Sequence, residues 1–434
     1  MSDLFHEQLQ QLRAQSLHRS LREIGTAQGP EVQVVGHQLA NFSSNDYLGL
    51  ANDPILKDAA AAAITEFGVG AGASRLISGT QSPHIRLENA LAKWKGTPAA
   101  LTFSSGYAAA VGTVPALVGK RDVILLDKLA HASLIDGARL SGATIRVFPH
   151  NHLGKLESHL EWARQEHPDG RHLIVTESVF SMDGDRAPLR ALIGLKKRFR
   201  ALLLLDEAHA VGVIGADGRG LAQELGLARH VEVQMGTLSK ALGVSGGYIC
   251  GSHSLIEWLV NRARSFIFST APPPLLAAAA MAAVEFLQTS AGRDRHAKLW
   301  KNIEILRDAL PQVAPVGEVE AIKPTAAGKK SRPGVLRQLL SGHRGENPKS
   351  VVSTAPEPAT SGSAIHPLLV GDEEEALSLA RSLQAEGFLV PAIRYPTVAK
   401  GAARLRITVT AAHNESQIRT LAGAIRRLRP EALT

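Results

Sequence analysis

Two short stretches carry the side chains best suited to chemistry. One is LLLLDEAHAVG, residues 202–212, an apolar run ending in Asp206, Glu207 and His209. The other is GTLSKALGVSGG, residues 236–247, which sets Thr237, Ser239 and Lys240 among glycines. An acidic pair after an apolar strand is how nucleotide-hydrolysing motors hold Mg²⁺, and the formal net charge of +8 would suit a motor that tracks nucleic acid. Such a motor also needs a phosphate loop of the form G-x-x-x-x-G-K-[ST], whose amides and lysine cradle the nucleotide. The sequence has none: Gly119-Lys120 runs into Arg121, Gly154-Lys155 into Leu156, and Gly328-Lys329 into Lys330. The acidic pair must therefore serve another chemistry.

The elements that position these residues are legible as a pattern. Apolar runs at AALTF (99–103), DVILLD (122–127), TIRVF (144–148), HLIVTES (172–178), ALLLLD (201–206), VEVQM (231–235) and GGYICG (246–251) alternate with helical stretches. Strands without polar alternation, separated by helices, predict an α/β fold: a mainly parallel seven-stranded sheet covered on both faces. After about residue 290 the pattern predicts a smaller α+β domain. The expected boundaries are an N-terminal helix and arm over 1–45, a large domain over 46–290 and a small domain over 291–434. Leu9, Leu12, Leu17, Leu21 and Ile24 predict an amphipathic helix across 5–24. In such sheets ligands gather beyond the carboxyl ends of the strands. Asp206, Lys240, the hydroxyls of TESVFSMDGD and the helix start at Ser104-Ser105-Gly106 all follow such ends. A carboxylate, a lysine and a phosphate corner of amides and hydroxyls are the parts that pyridoxal phosphate requires.

Composition narrows the alternatives. Residues 322–361 hold seven Lys or Arg against two acids and are rich in Pro, Gly and Ser, so most of the positive charge lies in one loop rather than along a structured face. Nucleic acid is therefore not expected as a partner. The single cysteine, Cys250, excludes an intrachain disulfide and reads as part of a buried strand. The apolar run at 275–287 is too short for a membrane span, and MSDLFHEQLQQLR lacks the apolar core of a secretory signal. No membrane and no metal are expected, and the expected location is cytoplasmic.

Eight motifs carry a family resemblance: NFSSNDYLGL (41–50), GVGAGASRLISGT (68–80), SSGYAAA (104–110), LAHASLIDGA (129–138), TESVFSMDGDRAPL (176–189), LDEAHAVGVIGADGRG (205–220), GTLSKALGVSGG (236–247) and AIRYPTVAKGAARLRIT (392–408). Through them the chain resembles the α-oxoamine synthases, fold-type I pyridoxal-phosphate enzymes of the class-II aminotransferase family. The resemblance implies an acyltransferase that condenses an amino acid with an acyl thioester and releases CO₂. It implies Lys240 as the Schiff-base lysine, Asp206 as the partner of the pyridinium nitrogen and His209 as the partner of the ring's phenolic oxygen. His131 would stack on the ring. Ser181 and Thr237 would touch the cofactor, and Ser105, Gly106 and Tyr107 would hold its phosphate. Arg406 would hold the amino-acid carboxylate, with Arg22 and Thr397 near the acyl substrate and Asn45 near a homodimer interface that also includes the 68–80 loop.

Within the family the motifs look most like the branch serving biotin synthesis, which uses L-alanine with pimeloyl-CoA or pimeloyl-acyl carrier protein. Sister branches take glycine with succinyl-CoA or acetyl-CoA, or serine with palmitoyl-CoA. The basic 322–361 segment departs from the family pattern. It reads either as a surface insertion or as a docking site for an acidic acyl carrier protein.

Overall fold

The computed structural model describes residues 2–311 and 362–429, with side chains from Phe5 onward. The basic 322–361 segment lies outside the described residues. Thirteen strands are described: β1 (Glu31–Val34), β2 (His37–Asn41), β3 (Ala99–Phe103), β4 (Val123–Asp127), β5 (Thr144–Phe148), β6 (His172–Glu177), β7 (Leu202–Asp206), β8 (Val233–Thr237), β9 (Gly247–Gly251), β10 (Ile365–Gly371), β11 (Phe388–Leu389), β12 (Ala392–Ile393) and β13 (Ala403–Thr408).

Seven of them form the expected central sheet in the order β3-β9-β8-β7-β6-β4-β5. Only β9 runs against the rest. Every residue of β4, β6, β8 and β9 is buried, which explains why these strands read as unbroken apolar runs. Helices cover both faces. Ala132–Ser141 and Gly106–Leu117 pack on one, and Leu189–Phe199 with the alanine-rich Pro274–Leu287 on the other. Each fully buried Leu, Val or Ile in these layers contributes about 1.5–3 kcal/mol.

The strand expected at 231–235 is instead Val233–Thr237. Val231 closes the tight turn Ala228–His230, and the Glu232 carboxylate accepts the Leu203 amide at 3.0 Å, fastening the entrance of β7. A two-residue shift preserves which side chains face which layer, so the pattern alone does not register it. It makes Thr237 the last residue of the strand.

The helix expected across 5–24 is Ser2–Ala14. Ser16 takes a positive φ of 55°, and Arg394 binds the carbonyls of Ser16 and His18, turning the chain back onto the C-terminal region. Leu21 is fully exposed and Ile24 bridges to Val34, so among the described residues no groove holds the leucine stripe helical. The following hairpin, β1–β2, pairs in parallel with β11. Residues near 40 are thereby stitched to residues near 388. A second small sheet, β10-β13-β12, is antiparallel and is flanked by Ser290–Ala309, Glu373–Ala385 and Glu415–Leu428.

One buried ion pair ties the end of the helix Ser82–Lys95 to the loop after β7. Lys95 and Glu207 meet at 2.5 Å, with side chains 1% and 0% exposed. Lys95 also reaches the Arg219 carbonyl, and Glu207 accepts the Ala222 amide at 2.9 Å. Gly220, at φ +102°, lies so close that a Cβ would sit 2.6 Å from the Glu207 carboxylate. Glu207 therefore anchors the loop from inside while its neighbour Asp206 faces the other way. Removing one partner strands the other charge, so Lys95→Met should lose about 3–5 kcal/mol of stability in urea unfolding. Pairing it with Glu207→Gln should recover most of that loss; purely additive losses would contradict the assignment.

Candidate active site

Three adjacent strands end in carboxylates. Asp127 closes β4, Glu177 closes β6 and Asp206 closes β7, with Glu177 and Asp206 directly paired in register. Asp206 is buried, and its Oδ1 accepts the Ala208 amide at 2.9 Å. Burial raises its pKa, while the charges of Lys240 and His131 act in the opposite direction. Lys240 follows β8. Burial lowers its pKa, and the acids that oppose this are Asp206 and Glu177, acting through space without a hydrogen bond. Glu177 is buried with Oε1 unpartnered, and burial followed by Asp206 drives its pKa well up. Its carboxyl is therefore held towards the protonated form.

His209, on the turn after β7, is fixed by a residue 162 positions away. The Tyr47 hydroxyl lies 2.6 Å from His209 Nδ1, compared with 3.3 Å from Asn45 Oδ1. Arg406 Nη2 donates to the same hydroxyl at 3.5 Å, so the Tyr47 proton is free to point at Nδ1. Burial lowers the His209 pKa well below its usual value, so the ring is neutral. With Nδ1 as acceptor, the remaining ring proton sits on Nε2.

Arg406 is buried in β13. Its Nε donates to the Ser181 carbonyl at 2.6 Å, and its Nη1 to Asn45 Oδ1 at 3.0 Å and Thr408 Oγ1 at 3.1 Å. Its described partners are all neutral oxygens, which leaves a buried guanidinium without a counter-charge. The neighbouring Arg404, by contrast, pairs with Asp183.

A phosphate-sized corner forms where β3 passes into the helix Gly106–Leu117. Ser105 caps that helix, its Oγ taking the Ala108 amide and its carbonyl the Ala109 amide. The amides of Gly106 and Tyr107 are the two left over at the helix start. Thr237 stands opposite: its Oγ1 lies 2.7 Å from Ser239 Oγ, and a Cβ on Gly106 would meet it at 3.6 Å. Gly247 allows this approach, because a Cβ there would lie 2.5 Å from the Ser105 carbonyl.

His131 caps the helix Ala132–Ser141 through Nδ1, which accepts the Ser133 amide at 3.2 Å. With Ser181 and Thr397 it lines a cleft of about 510 Å³ between the sheet and the C-terminal region. Thr397 is reached by Arg19, at 3.3 Å, whereas Arg22 is exposed. The structure thus brings Lys240, Asp206, His209, Thr237, Ser105, Gly106, Tyr107, His131, Ser181, Asn45, Arg406 and Thr397 around one end of the sheet. Arg19 makes the contact with Thr397, and Arg22 makes no hydrogen bond among the described residues. Sequence reasoning passed over Tyr47 and Glu177. Glu177 had a usable signal, a carboxylate at a strand end beside that of Asp206. Tyr47 had none, because only chain closure brings it to His209.

A buried amine facing a buried carboxylate, with two free helix amides and hydroxyls nearby, fits pyridoxal phosphate. The lysine would take the aldehyde, the carboxylate the ring nitrogen and the helix start the phosphate. Fold and site together define a fold-type I pyridoxal-phosphate-dependent enzyme.

The family model for class I and II aminotransferases matches residues 37–327 and 352–425, and the chain belongs to that family. It is 43% identical over 424 residues to the 8-amino-7-oxononanoate synthase of Geobacter sulfurreducens, covering 98% of this chain and 97% of that protein. It is 42% identical to the 8-amino-7-oxononanoate synthase of Anaeromyxobacter dehalogenans, covering 99% and 96%. Among solved structures, the serine palmitoyltransferase of S. paucimobilis matches with TM-score 0.83 at 27% identity, covering 99% and 98%. The 8-amino-7-oxononanoate synthase of Francisella tularensis matches with TM-score 0.69 at 25% identity, covering 91% and 99%.

Tyr47→Phe removes the hydroxyl that orients His209 and bridges it to Arg406. A lost buried hydrogen bond of roughly 1–1.5 kcal/mol predicts about a ten-fold weaker affinity for pyridoxal phosphate in an absorbance titration. An unchanged affinity would remove Tyr47 from the site.

Proposed function

We propose that the chain condenses L-alanine with a pimeloyl thioester, carried on CoA or on acyl carrier protein, to give 8-amino-7-oxononanoate, CO₂ and the free thiol. The observation that carries this reading is the uncompensated Arg406 guanidinium, one hydroxyl away from the His209 beside Asp206 and Lys240. A buried cation with only neutral partners is costly unless an anion completes it, and an amino-acid carboxylate supplies that anion in a bidentate form.

When bound, pyridoxal phosphate supplies an electron sink for negative charge at the amino acid's Cα. Asp206 would hold the ring nitrogen, the Nε2 proton of His209 the phenolic oxygen, and His131 the ring face. Ser105, Thr237 and the Gly106 and Tyr107 amides would hold the phosphate, with Ser181 at the ring's edge. Arg406 fixes the substrate carboxylate, and so decides which Cα bond stands over Lys240. Burial lowers the Lys240 pKa, which raises the share of neutral Nζ able to accept the Cα proton. The cleft lined by His131, Ser181, Thr397, Val398 and Ala399, with Arg19 reaching Thr397, would admit the acyl chain.

A second reading, a sister condensation, is favoured by one observation: the serine palmitoyltransferase backbone superposes better than that of the Francisella enzyme. Specificity resides in side chains rather than backbone. The 43% identity to the 8-amino-7-oxononanoate synthase of Geobacter sulfurreducens outweighs the shape. We place the enzyme in the reducing cytoplasm, where the sole thiol, Cys250, is kept inert by burial that pushes it up to about 12. We also propose a homodimer. The 68–80 loop exposes Val69 and Ile77, at 71% and 80%, next to Phe268 at 72%.

The deciding measurement is thiol release by the cofactor-loaded protein from pimeloyl-CoA with alanine, glycine or serine in turn. Release with alanine, with the other two at least ten-fold slower, is the expected result. Turnover only of glycine or serine with a different acyl-CoA would move the protein to a sister reaction. Ile77→Glu should shift the species seen by light scattering from dimer to monomer; an unchanged mass would refute that interface.

A further inference from the structure

One charged cluster is not used by the reading above. His150, just after β5, stands between two carboxylates: its Nδ1 is 3.1 Å from Asp127 Oδ1 and its Nε2 is 2.8 Å from Asp185 Oδ2. A neutral imidazole has only one N–H, so with both carboxylates ionised both contacts are hydrogen bonds only when the ring is an imidazolium; burial raises the Asp185 pKa, and the His150 hydrogen bond and charge oppose that rise. The Phe180 ring meets it edge-on at 4.2 Å, and Asn151 Nδ2 donates to Asp185 at 3.0 Å. Partial burial opposes the charge, but the hydrogen bonds and charges of Asp127 and Asp185 outweigh it and raise the His150 pKa to about 10.

The two carboxylates belong to the two walls of the cleft. Asp127 accepts the Leu129 amide at 2.8 Å and the Asn151 amide at 3.0 Å, which sets the turn leading to His131. Asp185 closes a tight loop in which the Phe180 amide donates to the Asp185 carbonyl at 3.0 Å and the Gly184 amide to the Phe180 carbonyl at 2.8 Å. That loop carries Ser181, whose carbonyl takes Arg406, and Asp183, which pairs with Arg404. Gly184, at φ +71°, presses this loop against β10, where a Cβ would lie 2.3 Å from the Ile365 carbonyl. His150 is therefore the joint between the segment bearing His131 and the segment bearing Ser181.

We propose that His150 is a positioning residue: its imidazolium bridge from Asp127 to Asp185 sets the spacing of His131 and Ser181 across the cleft, and with it the geometry in which the cofactor is gripped. This rests on the cofactor reading above. With its pKa raised to about 10, the ring keeps its charge in the folded protein through the neutral range and loses it as pH rises through about 10; its contribution to folding stability is complete below pH 6.5, declines above it and is gone above about pH 10.

The test is pyridoxal phosphate affinity, measured by absorbance titration of the full-length protein between pH 6 and 8.5. For the wild type the affinity should change little below pH 8. His150→Gln, which keeps one donor but no charge, should lower the apo-form unfolding midpoint, because two buried carboxylates lose their cation, and at every pH where the variant is folded it should bind at least ten-fold more weakly. Asp185→Asn keeps the shape and an acceptor but removes one of the two charges that hold the proton. Its affinity should fall several-fold as pH rises through this window. A His150→Gln affinity within two-fold of wild type, or an Asp185→Asn profile as flat as wild type, overturns the proposal. If His150→Gln fails to fold, the Asp185→Asn profile alone decides. Failure of the wild type to bind pyridoxal phosphate would overturn the functional reading itself, and this inference with it.

Discussion

The structure is organised by the problem of three carboxylates side by side at the ends of β4, β6 and β7. Left ionised and unpaired in a buried layer, Asp127, Glu177 and Asp206 would repel one another strongly. Each is handled differently. Asp127 faces His150, and Asp206 faces Lys240. Glu177, in the middle and without a cation of its own, is driven towards the protonated form by burial and by its neighbours. The negative field that remains is concentrated at Asp206, where a cationic ring nitrogen would be stabilised most.

The same economy of charge explains why the site needs both ends of the chain. Arg406 comes from β13 and Tyr47 and Asn45 from the segment after β2, yet they share hydrogen bonds around His209. The pairing of β2 with β11, and the Phe42 carbonyl accepting the Thr408 amide at 2.9 Å, hold those segments together. The stability of this remote stitching is thus also the precision of the site. The Lys95–Glu207 pair does similar work beneath it, fixing the loop after β7 so that Asp206 and His209 project upward.

Glycine at close contacts sets the spacing of the remaining parts. Gly236 lies under the Tyr248 ring, where a Cβ would come within 2.4 Å of Cζ, and Gly247 lies under Ser105. Gly236 precedes Thr237 in β8, and Gly247 opens β9 beside the end of β3, from which the helix start follows. Larger residues there would push the phosphate corner apart before they disturbed the core.

Much of this was legible in the residues alone. The central strands show themselves because burial on both faces removes polar alternation. Lys240, Asp206 and the Ser105 cap could be placed at strand ends because a parallel sheet sends every such end to the same edge. The motifs around them pointed to the family before any coordinate did. The register of β8 and the end of the first helix were not legible: a two-residue slip conserves the pattern, and a leucine stripe does not say whether a groove exists to receive it. Nor was the role of Tyr47, the contact of Arg19 with Thr397, or the bridge made by His150. These depend on separations of 162, 378, 23 and 35 residues that close only when the sheets pack. Local sequence determined which side chains reach the edge of the sheet, because that follows from periodicity. Only the tertiary structure decided which charges face one another there, because pKa values and hydrogen bonds depend on distances between segments that periodicity does not encode.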